Sequence, residues 1–279
     1  EIGWAALEET IERSQPNIIG ATATTPFFPE ALRVMEIAKK ISPSIVTVLG
    51  GPHVTFTSEE TLAQYPEIDV IARGEGEQAL LELVRCHEKG EALSQVKGIA
   101  FRDGRELVLT PPQPLVKVDE LPLPAYHLLP MERYYFPLLG KFATVLSSRG
   151  CPHRCTFCAE WRFWGAKWRP RNPKKVVDEI ELLHKKHGRE CFWFGDDCFN
   201  VDAERIQEIC SEIMARKLDI SWFYQGRADL VIKHKDLLPL MRQSGNLMAQ
   251  IGIESSTNEE LEEFNKNLTM EQIKEAIDL

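Results

Sequence analysis

Residues 147–158 of this chain read SSRGCPHRCTFC and place Cys151, Cys155 and Cys158 in a CxxxCxxC spacing. The loop directly follows an apolar stretch at 142–147 that predicts a β-strand, and a helical pattern follows it. A strand, a loop and a helix in this order are typical of parallel α/β folds, where ligands bind at the carboxyl ends of strands. The cysteine loop therefore predicts a ligand site at a sheet edge.

The alternation of strand and helix continues through the rest of the chain. Parallel strands need crossover helices, and a full (β/α) barrel needs eight such units. Four units predict a partial (β/α) barrel over residues 142–279, and the pattern stops inside the barrel, as expected for a fragment of a longer polypeptide. The predicted strands are 142–147, 191–195, 220–224 and 246–253, and the predicted helices are 173–187, 202–216, 234–243 and 269–279.

An α/β pattern also fills the first part of the chain. Apolar spacing at the start predicts that the chain opens inside a helix, and we expect an element upstream of it to be missing from this sequence. Asp103-Gly104 predicts a hairpin turn within 98–110. We expect a partial flavodoxin-like (Rossmann-like) domain over 1–110, incomplete at its amino end, and a proline-rich connector over 111–141. The predicted strands are 17–22, 44–49 and 68–72, and the predicted helices are 29–41 and 78–89.

Composition disfavours several classes of protein. A formal charge of −9 over 279 residues gives no overall basic field to attract nucleic acid. No run of about 20 apolar residues predicts a membrane span, and the start lacks the features of a signal peptide. Seven cysteines in so long a chain do not match a small disulfide-stapled secreted domain. We expect a cytoplasmic protein with metal or redox chemistry, without a nucleic acid partner or a membrane span.

Three closely spaced cysteines allow two kinds of metal site. A 4Fe-4S cluster usually takes four cysteines, so three of them leave one iron open to another ligand. Zinc is the alternative, with His153 or a distant cysteine as the fourth ligand. Zinc loops typically pair CxxC with a second ligand pair downstream, which is absent, so the spacing favours the cluster. The remaining cysteines lack ligand spacing and are expected to pack as small apolar residues: Cys86, Cys191, Cys198 and Cys210.

At these residues the chain resembles the radical S-adenosylmethionine superfamily, whose loop is CxxxCxΦC with an aromatic residue where Phe157 stands. The resemblance implies that the open iron chelates the amino and carboxylate groups of S-adenosylmethionine. It further implies that an electron, supplied by a donor such as flavodoxin or ferredoxin, cleaves the sulfonium to give a 5'-deoxyadenosyl radical. Cys151, Cys155, Cys158 and Glu254 form the implied catalytic set.

A narrower resemblance follows the cysteines, because residues 159–164 and 169–180 look like the anaerobic oxidative cyclase of magnesium-protoporphyrin monomethyl ester. It implies oxidative cyclisation of a tetrapyrrole-like or other small-molecule substrate. Relatives of the same architecture methylate carbon or phosphorus, so methyl transfer from methylcobalamin is an alternative. A noncatalytic zinc- or cobalamin-binding module is another. The tryptophans after the loop either wall a large planar substrate or cover the half-barrel: Trp161, Trp164 and Trp168.

The end of the second barrel strand carries candidate ligands for the cofactor. In the superfamily a backbone and acidic motif at this place holds the amino group of S-adenosylmethionine, which implies that role for Gly195, Asp196 and Asp197. Carbonyl and carboxylate oxygens accept hydrogen bonds from an ammonium group. Two adjacent acids at a strand end are equally suited to cap the helix predicted at 202–216.

Two later strand ends carry further candidates. Arg227 follows the third strand and is able to pair with the cofactor carboxylate as a bidentate donor, or to form a surface ion pair with Asp229. Glu254 ends the fourth strand in a segment that looks like the IGxES segment of the family, near the ribose or the reacting centre.

Strand ends in the first domain resemble those of cobalamin-binding domains, which carry a small hydroxyl residue after one strand and a double glycine after the next. Glycines let the backbone approach a bulky ligand. Any doubly wound domain with a glycine turn is the alternative. The resemblance implies a DxHxxG segment, with a histidine that ligates cobalt, outside this sequence, so we expect His53 to be a loop residue lining the cofactor. The candidates are Thr22, Gly50, Gly51, Pro52, His53, Gly74 and Glu75.

Overall fold

The structure, a computed structural model, describes residues 3–137 and 139–279, so positions 1, 2 and 138 of the predicted ranges lie outside the described residues. The chain divides into two compact units, residues 1–116 and 117–279. This division falls inside the proline-rich segment that we expected to connect two domains, and most of that segment belongs to the second unit.

A five-stranded sheet forms the centre of the first unit, with its strands in sequence order. The first three strands are parallel, as expected when helices connect them, and the last two form the antiparallel hairpin predicted from Asp103-Gly104. The strands are β1 (Ile18–Thr22), β2 (Val46–Gly50), β3 (Val70–Ala72), β4 (Ile99–Asp103) and β5 (Glu106–Leu109).

Helices cover both faces of this sheet. Alternate residues of each strand point to opposite faces, so Leu49 and Ile71 pack on one side and Val48 and Val70 on the other. Two of the helices, α3 and α4, are too short to show a helical period in the sequence and were not predicted. The helices are α1 (Trp4–Ser14), α2 (Phe28–Ile41), α3 (Pro52–Phe56), α4 (Ser58–Gln64) and α5 (Gly76–Lys89).

The second unit contains four parallel strands in the order β12-β11-β10-β7, with a short antiparallel strand β6 beside β7. This is the predicted half-barrel. A separate two-stranded ladder, β8 with β9, brackets the cysteine loop. The strands are β6 (Tyr135–Phe136), β7 (Gly140–Val145), β8 (Ser148–Arg149), β9 (Arg169–Pro170), β10 (Cys191–Phe194), β11 (Ser221–Gly226) and β12 (Asn246–Ile251).

Seven helices accompany these strands among the described residues. The single helix predicted at 234–243 is a short 3-10 turn over Lys235–Leu237 followed by the α-helix Leu238–Gln243, which carries Pro239 in its first turn. Three further helices, over residues 160–163, 228–233 and 258–263, were not predicted. The helices are α6 (Glu160–Phe163), α7 (Pro173–His187), α8 (Ala203–Ala215), α9 (Ala228–Lys233), α10 (Leu238–Gln243), α11 (Asn258–Glu263) and α12 (Met270–Asp278).

One face of the second sheet forms the main hydrophobic core. Val145, Phe192, Phe194 and Trp222 are almost fully buried there and pack against the helices of the half-barrel. Burial of so many large side chains anchors each strand, and therefore fixes where each strand ends. No helix in residues 3–137 or 139–279 is long and apolar enough to cross a membrane.

Candidate functional site

The cysteine loop leaves the half-barrel through a glycine that no other residue could replace without rearrangement. Gly150 has φ 84°, and a Cβ at this position would lie 2.1 Å from the carbonyl oxygen of Lys167. Its amide donates a hydrogen bond of 2.9 Å to Oδ2 of Asp197, which follows the neighbouring strand β10. The start of the loop is thus tied to the end of β10.

Each thiol of the loop is free and faces at least one hydrogen-bond donor. The Cys151 sulfur accepts from the amide of His153, and the Cys158 sulfur accepts from the amide of Glu160. The guanidinium of Arg227 lies 4.0 Å from Sγ of Cys155, which is buried. Donors aimed at sulfur stabilise thiolates, the form in which cysteine binds metals.

A fourth cysteine lies beside the loop. The Cys198 thiol is fully buried and lies within hydrogen-bonding reach of the Cys151 sulfur and, at 3.6 Å, of Oδ1 of Asn200. The bond from Cys198, the amide of His153 and the nearby cations together lower the pKa of Cys151 to about 7 against the effect of burial. Burial raises the pKa of Cys158. Our expectation that Cys198 only packs was therefore incomplete, because it contacts a ligand of the predicted cluster.

The three loop thiols fit a cluster by the chemistry of their surroundings. Within the described part of the chain, no three His, Cys, Asp or Glu side chains converge on one ion. The thiolates of a 4Fe-4S cluster each bind a different iron, so convergence on one point is not required. Cys151, Cys155 and Cys158 would hold such a cluster and leave one iron for a further ligand.

Asp196 anchors the strand end from which the loop begins. Its side chain is inaccessible to solvent, and its oxygens accept from the amide and hydroxyl of Ser147, both at 2.6 Å, and from the hydroxyl of Ser148 at 2.5 Å. Burial raises the pKa of Asp196, and the charge of Arg205 and the serine bonds oppose this effect. The helix α8 is capped by Asp202 and not by the two acids proposed as alternatives. The cofactor role of Asp196 stays a prediction.

Gly195 and Asp197 flank this anchor. A Cβ at Gly195 would lie 2.8 Å from Cγ2 of Thr144, so the small residue is needed where β7 and β10 meet. Asp197 is half-buried, and burial, followed by the negative charge of Glu160, raises its pKa to about 7. Both residues lie next to the cysteine loop, where we predicted the cofactor amino group.

Arg227 is buried, with 5% of its surface exposed, and is held from several sides. Its Nε and Nη2 donate to the carboxylate of Asp229 at 3.0 and 3.3 Å, and Nη2 donates to the carbonyl of Lys266 at 2.7 Å. Asn200 fixes its backbone by donating to the Arg227 carbonyl and accepting from its amide. The ion pair that we considered is present, but in the interior. Binding of a cofactor carboxylate by Arg227 stays a prediction.

Residues 263–267, between α11 and α12, close over the cysteine loop. The amide of Thr156 donates to the carbonyl of Phe264 at 2.9 Å, and Nδ2 of Asn265 donates to the carbonyl of Arg154 at 2.9 Å. The rings of Phe157 and Phe264 pack edge to face, with centroids 5.5 Å apart. Sequence reasoning missed this segment, because nothing local relates it to cysteines that lie a hundred residues earlier.

Glu254 lies at the same end of the half-barrel. It is a non-glycine residue with φ 68°, and its carboxylate forms an ion pair of 2.9 Å with the buried ammonium of Lys266. Left-handed backbone at such a residue is uncommon and costs free energy that the surroundings offset. The predicted role of Glu254 near the ribose or reacting centre stays a prediction, now with Lys266 as its partner.

Each of the three tryptophans after the loop donates a hydrogen bond from its indole nitrogen, and two of these bonds reach the loop. Trp161 donates to the carbonyl of Cys155 at 3.1 Å, and Trp168 donates to the hydroxyl of Ser148 at 3.1 Å. Trp164 donates to the carboxylate of Glu160 at 2.9 Å. These bonds fix each ring in place. They are compatible with both predicted roles, which are to wall a large planar substrate and to cover the half-barrel.

The carboxyl edge of the first sheet brings several predicted residues together. A Cβ at Gly51, which has φ 96°, would lie 2.6 Å from the hydroxyl of Thr22 and 2.7 Å from the carbonyl of Ala23. Thr55, which was not predicted, links the two glycine loops: its hydroxyl donates to the carbonyl of Gly51 at 2.8 Å and accepts from the amide of Gly74 at 3.0 Å.

The remaining candidates border this edge. His53 lies in the first turn of α3 and not in a loop, because Pro52 begins a helix there, and its Nδ1 lies 3.2 Å from the hydroxyl of Thr25. Glu75 is buried and accepts from the amide of Val116. Gly74 has φ 70° with open space beside it. Glycines and neutral hydroxyls at the end of a parallel sheet fit a bulky cofactor that the backbone approaches closely.

Two family models match separate parts of the chain. Residues 1–84 match the B12 binding domain, and residues 145–279 match the radical SAM superfamily. The chain belongs to the cobalamin-binding radical S-adenosylmethionine superfamily. The two domains of this family imply cobalamin, S-adenosylmethionine and a 4Fe-4S cluster as cofactors.

Relatives within the family include two kinds of enzyme. The chain is 39% identical over 279 residues to the anaerobic magnesium-protoporphyrin IX monomethyl ester cyclase of Rubrivivax gelatinosus, covering 98% of this chain and 50% of the relative. It is 35% identical over 278 residues to an uncharacterized methyltransferase of Pyrococcus horikoshii, covering 99% of this chain and 60% of the relative. The chain thus spans about half the length of the curated relatives it matches.

A solved structure has the same fold. The apo form of the cobalamin-dependent S-adenosylmethionine radical enzyme OxsB superimposes with a TM-score of 0.83 over 99% of this chain and 40% of that protein, at 24% sequence identity. At that identity the likeness supports the fold alone.

Proposed function

We propose that this chain is the cofactor-binding part of a cobalamin-dependent radical S-adenosylmethionine enzyme that abstracts hydrogen from an unactivated carbon, in the anaerobic oxidative cyclisation of a tetrapyrrole. The observation that carries the proposal is the loop of Cys151, Cys155 and Cys158, with a donor facing every sulfur. When bound, the cluster supplies the electron that cleaves S-adenosylmethionine to the 5'-deoxyadenosyl radical. Identity of 39% to a cyclase across both domains supports the substrate class.

The residues of the chain have distinct tasks in this proposal. The three loop cysteines hold the cluster, and Gly195, Asp197 and the neighbouring strand ends orient the amino group of S-adenosylmethionine. Trp161 and Asn265 donate hydrogen bonds to carbonyl oxygens of the loop and so hold its backbone in place. At the first sheet, the predicted binding set for cobalamin is Thr22, Gly50, Gly51, Pro52, His53, Gly74 and Glu75.

Radical methylation is the second candidate. The alignment with an uncharacterized methyltransferase, at 35% identity, also covers both domains, which favours methyl transfer from methylcobalamin as an alternative reaction. The proposed substrate is a tetrapyrrole-like or other small molecule, the proposed electron donor is a flavodoxin or ferredoxin, and the proposed location is the cytoplasm, which is reducing enough to keep free thiols.

Anaerobic reconstitution with iron and sulfide, followed by electron paramagnetic resonance with and without S-adenosylmethionine, tests the proposal. We expect a 4Fe-4S signal that changes when S-adenosylmethionine is added, because that ligand binds the open iron. The variant Cys155→Ala should lose the signal, whereas the matched variant Cys210→Ala, which removes a core thiol on α8, should keep it. Stoichiometric zinc without sulfide in the wild type would instead favour a noncatalytic metal module.

A further inference from the structure

Two buried side chains outside the CxxxCxxC loop face its sulfur atoms. Arg227 comes from the end of β11 and points Nη1 at Cys155, while Cys198 comes from the segment after β10 and contacts Cys151. Both are almost inaccessible to solvent. Because neither residue belongs to the loop, the CxxxCxxC spacing does not account for the positions of Arg227 and Cys198.

Hydrogen bonds to two partners hold the Arg227 side chain in place. Nε and Nη2 are occupied by Asp229 and by the carbonyl of Lys266, which leaves Nη1 to point at the Cys155 sulfur. Gly226 makes room for this arrangement, because a Cβ there would lie 2.4 Å from Oδ1 of the Asn200 side chain that fixes the Arg227 backbone. A guanidinium restrained in this way is a preorganised donor.

Cys198 is linked to the same group of residues. Its thiol lies 3.6 Å from Oδ1 of Asn200, the atom that also accepts from the Arg227 amide. Of its two acceptors, a metal-bound Cys151 thiolate would be the stronger, because hydrogen bonds to charged acceptors are stronger than those to neutral ones.

We infer that Arg227 and Cys198 are positioning residues that donate hydrogen bonds to the Cys155 and Cys151 sulfurs of the loaded protein and make the cluster easier to reduce. This inference rests on the proposed function. Reduction adds one electron, and therefore one negative charge, to a cluster held by thiolates. Hydrogen bonds to the sulfurs and nearby charge set the potential of such clusters, and a low local dielectric strengthens both effects.

A redox titration of the reconstituted full chain, followed by electron paramagnetic resonance with dithionite as the reductant, measures the effect. For Arg227→Gln we expect the ratio of reduced to oxidised cluster at a fixed potential to fall about tenfold, or about 59 mV for a one-electron couple. Arg227→Lys should fall between this variant and the wild type, since it keeps the charge and loses the fixed fork. In Cys198→Ala the ratio of reduced to oxidised cluster should fall about threefold, because a thiol is a weak donor. In Cys198→Ser the ratio should stay near that of the wild type.

Matched controls remove the same groups elsewhere in the unit. Arg216→Gln removes a guanidinium from the ion-pair network of α7 and α8, and Cys210→Ala removes a core thiol, so both should keep the wild-type potential. Unchanged potentials in both Arg227→Gln and Cys198→Ala, or shifts of these two variants to easier reduction, would overturn the inference. If Arg227→Gln binds no cluster, the reduction potentials of Arg227→Lys and Cys198→Ala test the inference in its place. A wild type without a cluster would instead overturn the proposed function itself.

Discussion

The parallel strands of the two sheets present very different groups at their carboxyl ends. The edge of the half-barrel is built on buried charge, since Asp196, Arg205, Arg227 and Lys266 are each more than nine-tenths inaccessible. At the edge of the first sheet, the groups presented are mainly backbone groups. They include two glycines with positive φ, and the neutral hydroxyl of Thr55 lies between them.

This difference matches what each edge is proposed to hold. Thiolates bound to iron carry charge, and in a buried setting charge must be met by fixed donors and counter-charges. A large cofactor approached by the backbone instead requires room and a defined backbone shape. We therefore expect charge-removing substitutions to affect the half-barrel most and volume-adding substitutions to affect the first sheet most.

The largest effect should come from Asp196→Ala. The change leaves the amide and hydroxyl of Ser147 and the hydroxyl of Ser148 without their common acceptor in the interior. It also removes a negative charge near the buried guanidinium of Arg205. Removing one partner of a buried charged network costs about 3–5 kcal/mol. Urea denaturation of the apo chain measures the free energy of unfolding, and the exposed Asp178→Ala serves as the control, with a loss of less than about 1 kcal/mol.

Gly51→Ala should have the next largest effect and should act through shape. The added Cβ meets the Thr22 hydroxyl and the Ala23 backbone below 3 Å, in addition to the strain of φ 96°. We expect a loss of about 2–3 kcal/mol and weaker binding of cobalamin, followed by its visible absorbance. Gly90→Ala isolates the backbone term, because Gly90 has φ 65° with nothing near its Cβ, and should cost about 1 kcal/mol. Equal losses at the two glycines would contradict the shape argument.

The smallest effect is a pH dependence at Asp197, which faces Glu160, Cys151 and Asp196. Its pKa is raised in the folded chain from 3.8 to about 7, so stability is fully present below about pH 4 and is lost as pH rises to about 7. Asp197→Asn keeps an acceptor and has no proton to lose. We expect the apo variant to be more stable at pH 8 by about 2 kcal/mol, since solvent screens part of the full effect.

Urea denaturation at pH 5, 6 and 8 measures this gap, which should widen with pH. The surface variant Asp178→Asn provides the comparison. A gap that stays constant between pH 5 and pH 8 would mean that Asp197 titrates as an ordinary aspartate.

Much of the architecture was predictable, because strand and helix periods are local properties of the sequence. The parallel strands of both sheets follow from apolar spacing, the hairpin follows from Asp103-Gly104 between two apolar runs, and the predicted metal-binding loop follows from cysteine spacing. The short strand β6 was not predicted, because it lies in the proline-rich segment. The short helices α3, α4, α6, α9 and α11 were not predicted, because each spans too few residues to show a period.

The parts of the site that escaped prediction depend on contacts distant in sequence. Cys198 meets Cys151 across the half-barrel, and Lys266 meets both Glu254 and Arg227. No spacing rule relates these residues before the strands are assembled. Thr55 was missed for a similar reason, because its link to Gly74 crosses from one strand end to the next.

Residues 263–267, which contact the cysteine loop, are synthesised long after the loop itself. Asn265 lies 111 residues after the Arg154 carbonyl that it binds, so a growing chain finishes the loop long before its closing partner leaves the ribosome. Contacts of such long sequence separation form late in folding, since the entropy of closing the intervening chain must be overcome first. The loop is therefore synthesised well before its hydrogen bonds to Phe264 and Asn265 can form.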